Sequence, residues 1–355
     1  MAANPLQSGL FGSLPNELVD LVVDHLVGEA APSSTALLPA STNDEIAALS
    51  ALGRTCRRLC ILVRPRLWAR FEPRRPPGAS IAAAPALLGL VRFARLDDQL
   101  DLFAPPDPNN WDDEWGLPVV QESRPVDVGA AFASVAGAGT ARRMELTLSR
   151  ETETPIANWG SLNVVVLRST SSAPSNPVAL PPAHAPSLTH LAFVNVSIRC
   201  SDLAACFGLP ALAHLVMLDT YDSCGSHSHG SVVPRAPLPS LWLNNKTSAS
   251  FLGVVAPLPV GLSVGGGRYQ DSFAAASAVS TLRLTWECTH RASSLFFDEV
   301  LELLRRSATI RAVLVHPIVP QSFQVSAAAL GKTLLVGDEF DMDDRDVERL
   351  FALGV

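Results

Sequence analysis

The chain has 355 residues, of which 48% are hydrophobic, so it is long enough and apolar enough to bury a substantial core. Its 27 Lys and Arg against 34 Asp and Glu argue against a protein that binds nucleic acid over a broad surface. The six scattered cysteines argue against a disulfide framework, and the absence of a long apolar run or a signal-peptide pattern argues against membrane insertion and secretion. We therefore expect a cytoplasmic or nuclear protein.

The first predicted helix follows from LPNELVDLVVDHL, residues 14–26. Pro15 suits a first helical position because its missing N–H costs nothing there, and Glu17 suits the positive end of the helix dipole. Apolar residues occupy two sides of this helix. One side carries Leu14, Leu18, Leu21, Val22 and Leu26, and the other carries Val19 and Val23. A short helix that is apolar on two sides needs two neighbours.

A second helix is predicted after a loop at 28–43. Thr42 and Glu45 have the spacing of a capping box, and apolar residues then recur every three or four positions as far as Val63. Pro65 should end this helix and open a short third one, PRLWARF. Cys56 and Cys60 share the apolar side of the second helix, which favours small core residues over metal ligands. The Pro-rich stretch at 72–80 indicates a domain boundary.

From about residue 140 the pattern apolar-x-x-apolar-x-apolar recurs, with its middle residue at 146, 165, 191, 215, 241, 262, 282, 313 and 334. The spacing of these copies is typical of leucine-rich repeats, in which a short strand and a return segment form each turn. Alternation puts both strand residues on one side, so stacked turns would share a core. SIRCSDLAACFGLP and SSLFFDEVLELLRRS are the predicted helical return segments. An ordinary α/β domain would also alternate strands and helices.

Several short motifs match catalytic or metal-binding patterns without their usual context. GLSVG at 261–265 has the spacing of a hydrolase nucleophile elbow, with Ser263 as nucleophile and His290 or His316 as base, but prolines precede it and glycines follow. LGKT at 330–333 lacks the first glycine of a phosphate-binding loop. CGSHSH and WDDEW are more typical of solvated loops than of metal sites. The acidic stretch before VERL is typical of the start of a helix, and this helix would close the repeat array.

The N-terminal block resembles the F-box, the helical adaptor by which substrate receptors attach to SCF ubiquitin ligases. Its L-P-x-E-L opening, later apolar pair, C-R-R segment and closing L-W match the family in order over about sixty residues. Leu59 departs from the usual tryptophan, and the loop at 27–43 is longer than usual. An F-box followed by degenerate leucine-rich repeats is also a common architecture among fungal receptors. The matching residues here include Leu14, Pro15, Glu17, Leu18, Val22, Leu26, Leu52, Cys56, Arg57, Leu67 and Trp68.

The resemblance implies an α+β fold in three parts. These are a three-helix F-box domain at 1–75, a linker and irregular cap at 76–139, and a leucine-rich-repeat-like solenoid at 140–355 with an acidic C-terminal capping helix. It implies a non-enzymatic subunit, without metal or cofactor, that binds a Skp-type linker, through it a cullin, and a target protein. The linker-binding residues would be the matching positions together with Leu21, which shares their side of the first helix.

Two other functions fit the sequence. One is an interaction scaffold with the same fold that acts outside a cullin complex, which the long loop and Leu59 favour. The other is a serine hydrolase at Ser263.

Overall fold

A computed structural model describes the helical N-terminal part of the chain and most strands of a large sheet. The described residues are 15–26, 43–55, 59–64, 70–71, 88–97, 135–148, 159–169, 185–222, 240–244, 260–264, 279–284, 294–337 and 347–352.

The described N-terminal residues include helices at both places where the first two helices were predicted. Helix α1 runs over Asn16–Leu26, and the carbonyl of Pro15 accepts hydrogen bonds from the N–H groups of Leu18 and Val19 at its start. Helix α2 runs over Asn43–Thr55, and a further helical segment covers residues 59–64. The expected third helix, PRLWARF, is not what the structure has at its end, because Arg70–Phe71 forms strand β1.

The largest element of the described chain is a parallel sheet of eleven strands, which lie in chain order. They are β1, β2 (Phe93–Asp97), β3 (Arg143–Leu148), β4 (Val164–Ser169), β5 (His190–Val194), β7 (His214–Leu218), β9 (Ser240–Asn244), β10 (Val260–Val264), β11 (Val279–Leu284), β12 (Ala312–Val315) and β13 (Thr333–Val336). The two short strands β6 (Ser197–Ile198) and β8 (Tyr221–Asp222) form a second parallel sheet. Helices plus a parallel sheet agree with the predicted α+β class at the coarse level.

Side chains of one sheet face, which we call the inner face, form the main hydrophobic core. A single register ladder crosses ten strands, and nine of its members lie in this core while the last packs against it. Its members are Leu96, Leu146, Leu167, Phe193, Met217, Leu243, Leu262, Leu282, Val313 and Leu334. Because side chains alternate along a strand, each strand buries every second residue on this face.

Two copies of the repeat pattern are out of phase with the sequence interpretation. The register pairs Val165 with Met144, so Met144 and not Leu146 is the middle apolar residue of its copy. In β10 the pairing of Gly261 with Trp242 likewise makes Val260 and not Leu262 the residue level with Leu241. The phase then shifts between β10 and β11, where the register is irregular after Val260.

The inner face is covered by return segments. Helix α3 (Cys200–Phe207) and helix α4 (Ser294–Arg306) fall on the two predicted helical segments. Helix α5 (Gln321–Ala329) was not predicted; it packs against α4 and β13 and buries Phe323 and Ala327. Phe297 of α4 and Phe323 of α5 have ring centroids 5.2 Å apart.

The sheet begins earlier in the chain than predicted. Strand β2 lies inside 76–139, which the sequence interpretation treated as a linker and irregular cap, and it pairs with β3 over five positions. Strand β1 pairs with β2 at Arg70 and Phe71, within the predicted F-box domain. The boundary drawn at residue 75 therefore falls between two paired strands.

Candidate functional site

A small core holds the described N-terminal helices together. Val19 and Val23, one turn apart on α1, are fully buried against Leu49 of α2 and against Leu59 and Val63 of the 59–64 segment. Gly53 lets α2 and this segment approach closely, since a Cβ there would stand 2.9 Å from Cγ2 of Val63. One apolar side of α1 is thus used inside the protein.

The other apolar side of α1 faces outward. Leu18, Leu21 and Val22 expose 46%, 63% and 39% of their surfaces, and they lie at positions i, i+3 and i+4 of one helix face. Three exposed large apolar side chains on one helix face form a candidate interaction surface. We call Leu18, Leu21 and Val22 the α1 face.

Other residues of the described N-terminal helices are also partly or largely accessible to solvent. Pro15 and Glu17 are exposed, and Leu52 of α2 is half-buried against the small core. Ile61, 61% exposed, is a further apolar surface residue that the sequence interpretation missed. The sequence contained the information needed to predict this exposure. Leu59 and Val63 lie on the apolar side of the predicted helix, which leaves position 61 on the opposite side.

Cys60 was predicted to be a core residue, and Leu59 occupies the position of the usual F-box tryptophan. Cys60 is exposed rather than a core residue, because it is one position beyond the buried Leu59. Leu59 itself is 2% exposed, so the residue that stands in place of the usual tryptophan fills the helical core and not the surface. Leu14, Cys56, Arg57, Leu67 and Trp68 lie outside the described residues, and Leu26 is described only as the last residue of α1.

A second apolar surface lies on the opposite side of the sheet, which we call the outer face. Val166, Ala192, Val194, Val216, Leu218, Trp242 and Leu314 form a buried cluster there. Helix α6 (Val347–Ala352) supplies the rest of the cluster through Val347, Leu350 and Phe351. It packs on β7, which is a middle strand of the sheet. The sequence interpretation had placed this helix at the end of the repeat array instead.

Two histidines lie beneath Phe351. The rings of His190 and His214, on neighbouring strands, stack with centroids 4.3 Å apart, and Phe351 meets His190 edge-on at 5.0 Å. Burial lowers the pKa of His190 to about 4, with His214 and Arg143 adding repulsion, and burial also lowers the pKa of His214. Both rings are therefore neutral near pH 7.

Charged side chains extend the outer face on either side of this cluster. Arg143 pairs with Glu145 and lies over the Phe93 ring at 5.3 Å, and Arg95 lies 3.9 Å from the same Glu145. Arg283 of β11 is fully buried. The outer face thus combines an apolar centre with arginine-rich flanks.

The hydrolase constellation is not assembled in the described residues. Ser263 lies within β10, in register with Asn244 and Arg283, whereas a nucleophile elbow needs a turn that leads directly into a helix. Nδ1 of His316 accepts a hydrogen bond from the N–H of Ile318 in its own turn. His290 lies outside the described residues.

The remaining motifs have structural roles or fall outside the described chain. Lys332 of LGKT donates from Nζ to the carbonyls of Ser307 and Ile310, both at 2.8 Å. CGSHSH, WDDEW and the acidic stretch at 338–346 lie outside the described residues. Within those that are described, no cluster of three potential metal ligands occurs. The described helices are all too short or too polar to cross a membrane.

No protein-family model matches this chain, and no curated protein matches it with significant similarity.

Proposed function

We propose that this chain is the substrate-recognition subunit of an SCF-type ubiquitin ligase. Its N-terminal helices act as an F-box that docks a Skp-type linker subunit, and the sheet acts as a leucine-rich-repeat-like solenoid that holds the target protein. Catalysis then belongs to other subunits. The chain contributes by bringing the target close to a ubiquitin-charged enzyme, which is a proximity effect.

The α1 face carries the proposal. Val19 and Val23 already satisfy one side of α1 inside the chain, yet Leu18, Leu21 and Val22 remain exposed on the other. Burying each such side chain in an interface contributes roughly 1.5–3 kcal/mol. These are also three of the positions at which the resemblance places linker contacts. The exposed Arg54 and Arg64 nearby in the sequence would favour a partner with acidic surface.

Support for the solenoid comes from contacts that recur from strand to strand. Just before the strands, one backbone hydrogen bond repeats: the N–H of Arg142, Asn163, Thr189 and Ala213 each donates to the carbonyl of the equivalent residue one turn earlier. After β7, the hydroxyl of Thr220 lies 3.4 Å from the carbonyl of Phe193 in the preceding turn. Thr220 stands where a well-formed leucine-rich repeat would place its asparagine, so a shorter side chain bridges the turns here.

The test is binding of the purified full-length chain to the Skp-type linker subunit, measured by titration calorimetry. We expect Leu21→Asp to weaken binding at least about tenfold, because it removes a buried leucine from the interface and buries a charge instead. Val325→Asp on α5 is the matched control, since Val325 is also 63% exposed and lies outside the N-terminal helices. It should bind like the original chain.

Either of two results would contradict the proposal. One is that the original chain does not bind the linker, and the other is that the Leu21→Asp chain binds it as tightly as the Val325→Asp chain. Adding cullin to the linker complex then separates the two related functions. Recovery of a complex with cullin supports the ligase subunit, and recovery of linker without cullin would indicate a scaffold that acts outside the ligase.

A further inference from the structure

Two histidines lie side by side under the C-terminal helix. His190 of β5 and His214 of β7 are level in the sheet register, and their rings stack with centroids 4.3 Å apart and planes 10° from parallel. Phe351 of α6 meets both rings edge-on, at centroid distances of 5.0 and 6.5 Å. The helix therefore rests directly on a pair of groups that can each gain a proton.

Hydrogen bonds at His190 fit a neutral ring. The hydroxyl of Thr189 donates to the carbonyl of Asn163 at 3.0 Å, so its oxygen can accept from Nδ1–H of His190, which lies 2.8 Å away. This arrangement leaves Nε2 as the nitrogen that takes up a proton. A proton there would charge a ring that stacks on His214 and contacts Phe351.

Nδ1 of His214 is poorly placed to carry a proton. This atom is buried and has no hydrogen-bond partner among the described residues. Protonation turns both ring nitrogens into donors, so Nδ1 would become part of a cation without an acceptor. A charge on either ring would also lie 4.3 Å from the centre of the other. Proton uptake by the pair is therefore unfavourable while α6 is docked.

Other charged groups of the surrounding elements do not compensate such a proton. Arg143 of β3 adds repulsion to His190 and is itself paired with Glu145. The residues level with the pair on β4 and β9 carry no charge. In sequence, α6 adds one carboxylate and one guanidinium, Glu348 and Arg349, which cancel in net charge. Because histidine is the side chain that ordinarily changes charge in mild acid, the stacked pair sets the response of this cluster.

The direction of that response follows from burial. Burial lowers the pKa of His190 from its ordinary 6.5 to about 4, with repulsion from His214 and Arg143 adding to it, and burial also lowers the pKa of His214. Departure of α6 would expose both rings and return their pKa values towards 6.5. Protons therefore bind more tightly when the helix is undocked, and docking weakens as the pH falls from 6.5 towards 4.

Helix α6 can leave without unfolding the sheet. It has only six residues, and isolated helices shorter than about 12–15 residues are marginal in water, so its structure depends on docking. Its anchors Val347, Leu350 and Phe351 belong to the outer-face cluster, whereas the larger core lies on the inner face. Release of α6 is therefore a local event that costs less than global unfolding.

We propose that the stacked pair of His190 and His214 is an acid-sensitive switch for the C-terminal helix. Both rings are neutral near pH 7, and α6 stays docked on the outer face. In mild acid the pair takes up a proton, α6 is released, and the apolar centre of the outer face becomes accessible. This inference goes beyond the adaptor role and would stand if the α1 face bound nothing.

Amide hydrogen exchange of the full-length chain tests the switch. After correction for the intrinsic effect of pH, protection of residues 347–352 should fall about three- to tenfold between pH 7.0 and pH 5.5, while the amides of β5 and β7 keep their protection. The doubly substituted His190→Gln/His214→Gln chain should lose this pH dependence. His316→Gln is the matched control, because His316 lies in the turn after β12, and its chain should respond like the original.

A reciprocal measurement leaves both histidines in place. If protons release α6, then releasing α6 must raise the proton affinity of the rings by the same linkage. Deuterium exchange at the histidine ring carbon, followed by mass spectrometry, reports the pKa of each ring. In the Phe351→Ala chain, which lacks the central anchor, the pKa of His190 should rise by about one unit or more relative to the original chain.

Three results would each overturn the proposal. Protection of residues 347–352 would be independent of pH, or would fall only together with that of β5 and β7. The same loss would occur in the chain that lacks both histidines. The pKa of His190 would be equal in the original and Phe351→Ala chains. Neither assay contains the linker subunit, so failure here is distinct from failure of the adaptor role.

Discussion

The indole ring of Trp242 occupies the space beside Gly261 on the neighbouring strand. A Cβ at Gly261 would stand 2.5 Å from Cδ2 and Cε3 of that ring, which is closer than atoms can approach. The two residues are in register on the outer face, and Trp242 is fully buried. The first glycine of GLSVG is therefore explained by packing rather than by hydrolase chemistry.

Gly261→Ala should destabilise the protein by about 1–3 kcal/mol, because the added methyl group forces Trp242 out of its packed position. Urea denaturation followed by tryptophan fluorescence measures the change. Gly137→Ala is the matched control, since a Cβ at Gly137 meets nothing within 4 Å, and its effect should stay below about 0.5 kcal/mol. Equal effects of the two substitutions would contradict this account.

The stacked histidines predict a loss of stability in mild acid. The pKa of His190 is about 4 in the folded chain, below its ordinary value of 6.5, so the unfolded chain binds more protons between these values. The free energy of unfolding should therefore fall as the pH drops from 6.5 towards 4 and level off below that. Since the ring is partly accessible to solvent, we expect a loss of about 1–2 kcal/mol at pH 5.

Urea midpoints at pH 7.5, 6.5, 5.5 and 5.0 test this effect. His190→Gln keeps a polar side chain but cannot take up the proton, so the midpoint of this variant should change less over the same range than that of the original chain. Carboxylates elsewhere in the chain contribute equally to both proteins and cancel in the comparison. Parallel pH profiles for the two proteins would exclude His190 as the origin of the acid sensitivity.

Local patterns in the sequence predicted the inner face of the sheet well. Residues such as Leu191 and Leu215 repeat with strand alternation, and their burial follows because that alternation leaves only one way to place them. The second apolar side of α1 was also visible, since Val19 and Val23 alone fill one helix face. Periodicity is a local property, and these are local consequences.

Features that depend on contacts between distant residues could not be predicted in this way. Ala94 hid one copy of the repeat, and Ala141 hid the true phase of another, because alanine in an apolar position looks like background in a chain so rich in it. The place of α6 on β7 depends on a fit between Phe351 and a surface more than a hundred residues earlier. The sequence VERLFA predicts which side of the helix is apolar, but it does not predict the strand on which that side packs.

Lys332→Met should cost about 1–3 kcal/mol, because it leaves two carbonyls, those of Ser307 and Ile310, without their charged donor. Arg305→Met removes a charge of the same sign from an exposed pair with Glu302 and should cost less than about 1 kcal/mol. Thermal unfolding of both variants gives the comparison. A larger effect at Arg305 than at Lys332 would show that the carbonyl contacts do not stabilise the end of the sheet.

Asp219, directly after β7, and Asn244, the last residue of β9, form a two-way pair. Nδ2 of Asn244 donates to Oδ1 of Asp219 at 2.7 Å, and the N–H of Asp219 donates to Oδ1 of Asn244 at 2.9 Å. The φ of Asp219 is +49°, a region that aspartate and asparagine adopt more readily than most residues. Side chain and backbone therefore both restrict this position.

Asn244→Asp should destabilise the chain by about 1–3 kcal/mol, because it sets two carboxylates against each other and removes the donor. Adding Asp219→Asn to that variant exchanges the two side chains, so the amide at 219 can donate to the carboxylate at 244. We expect the exchanged pair to recover most of the loss, measured as the urea midpoint in a double-mutant cycle. Additive losses in the doubly substituted chain would mean that the two side chains do not stabilise the fold through their contact.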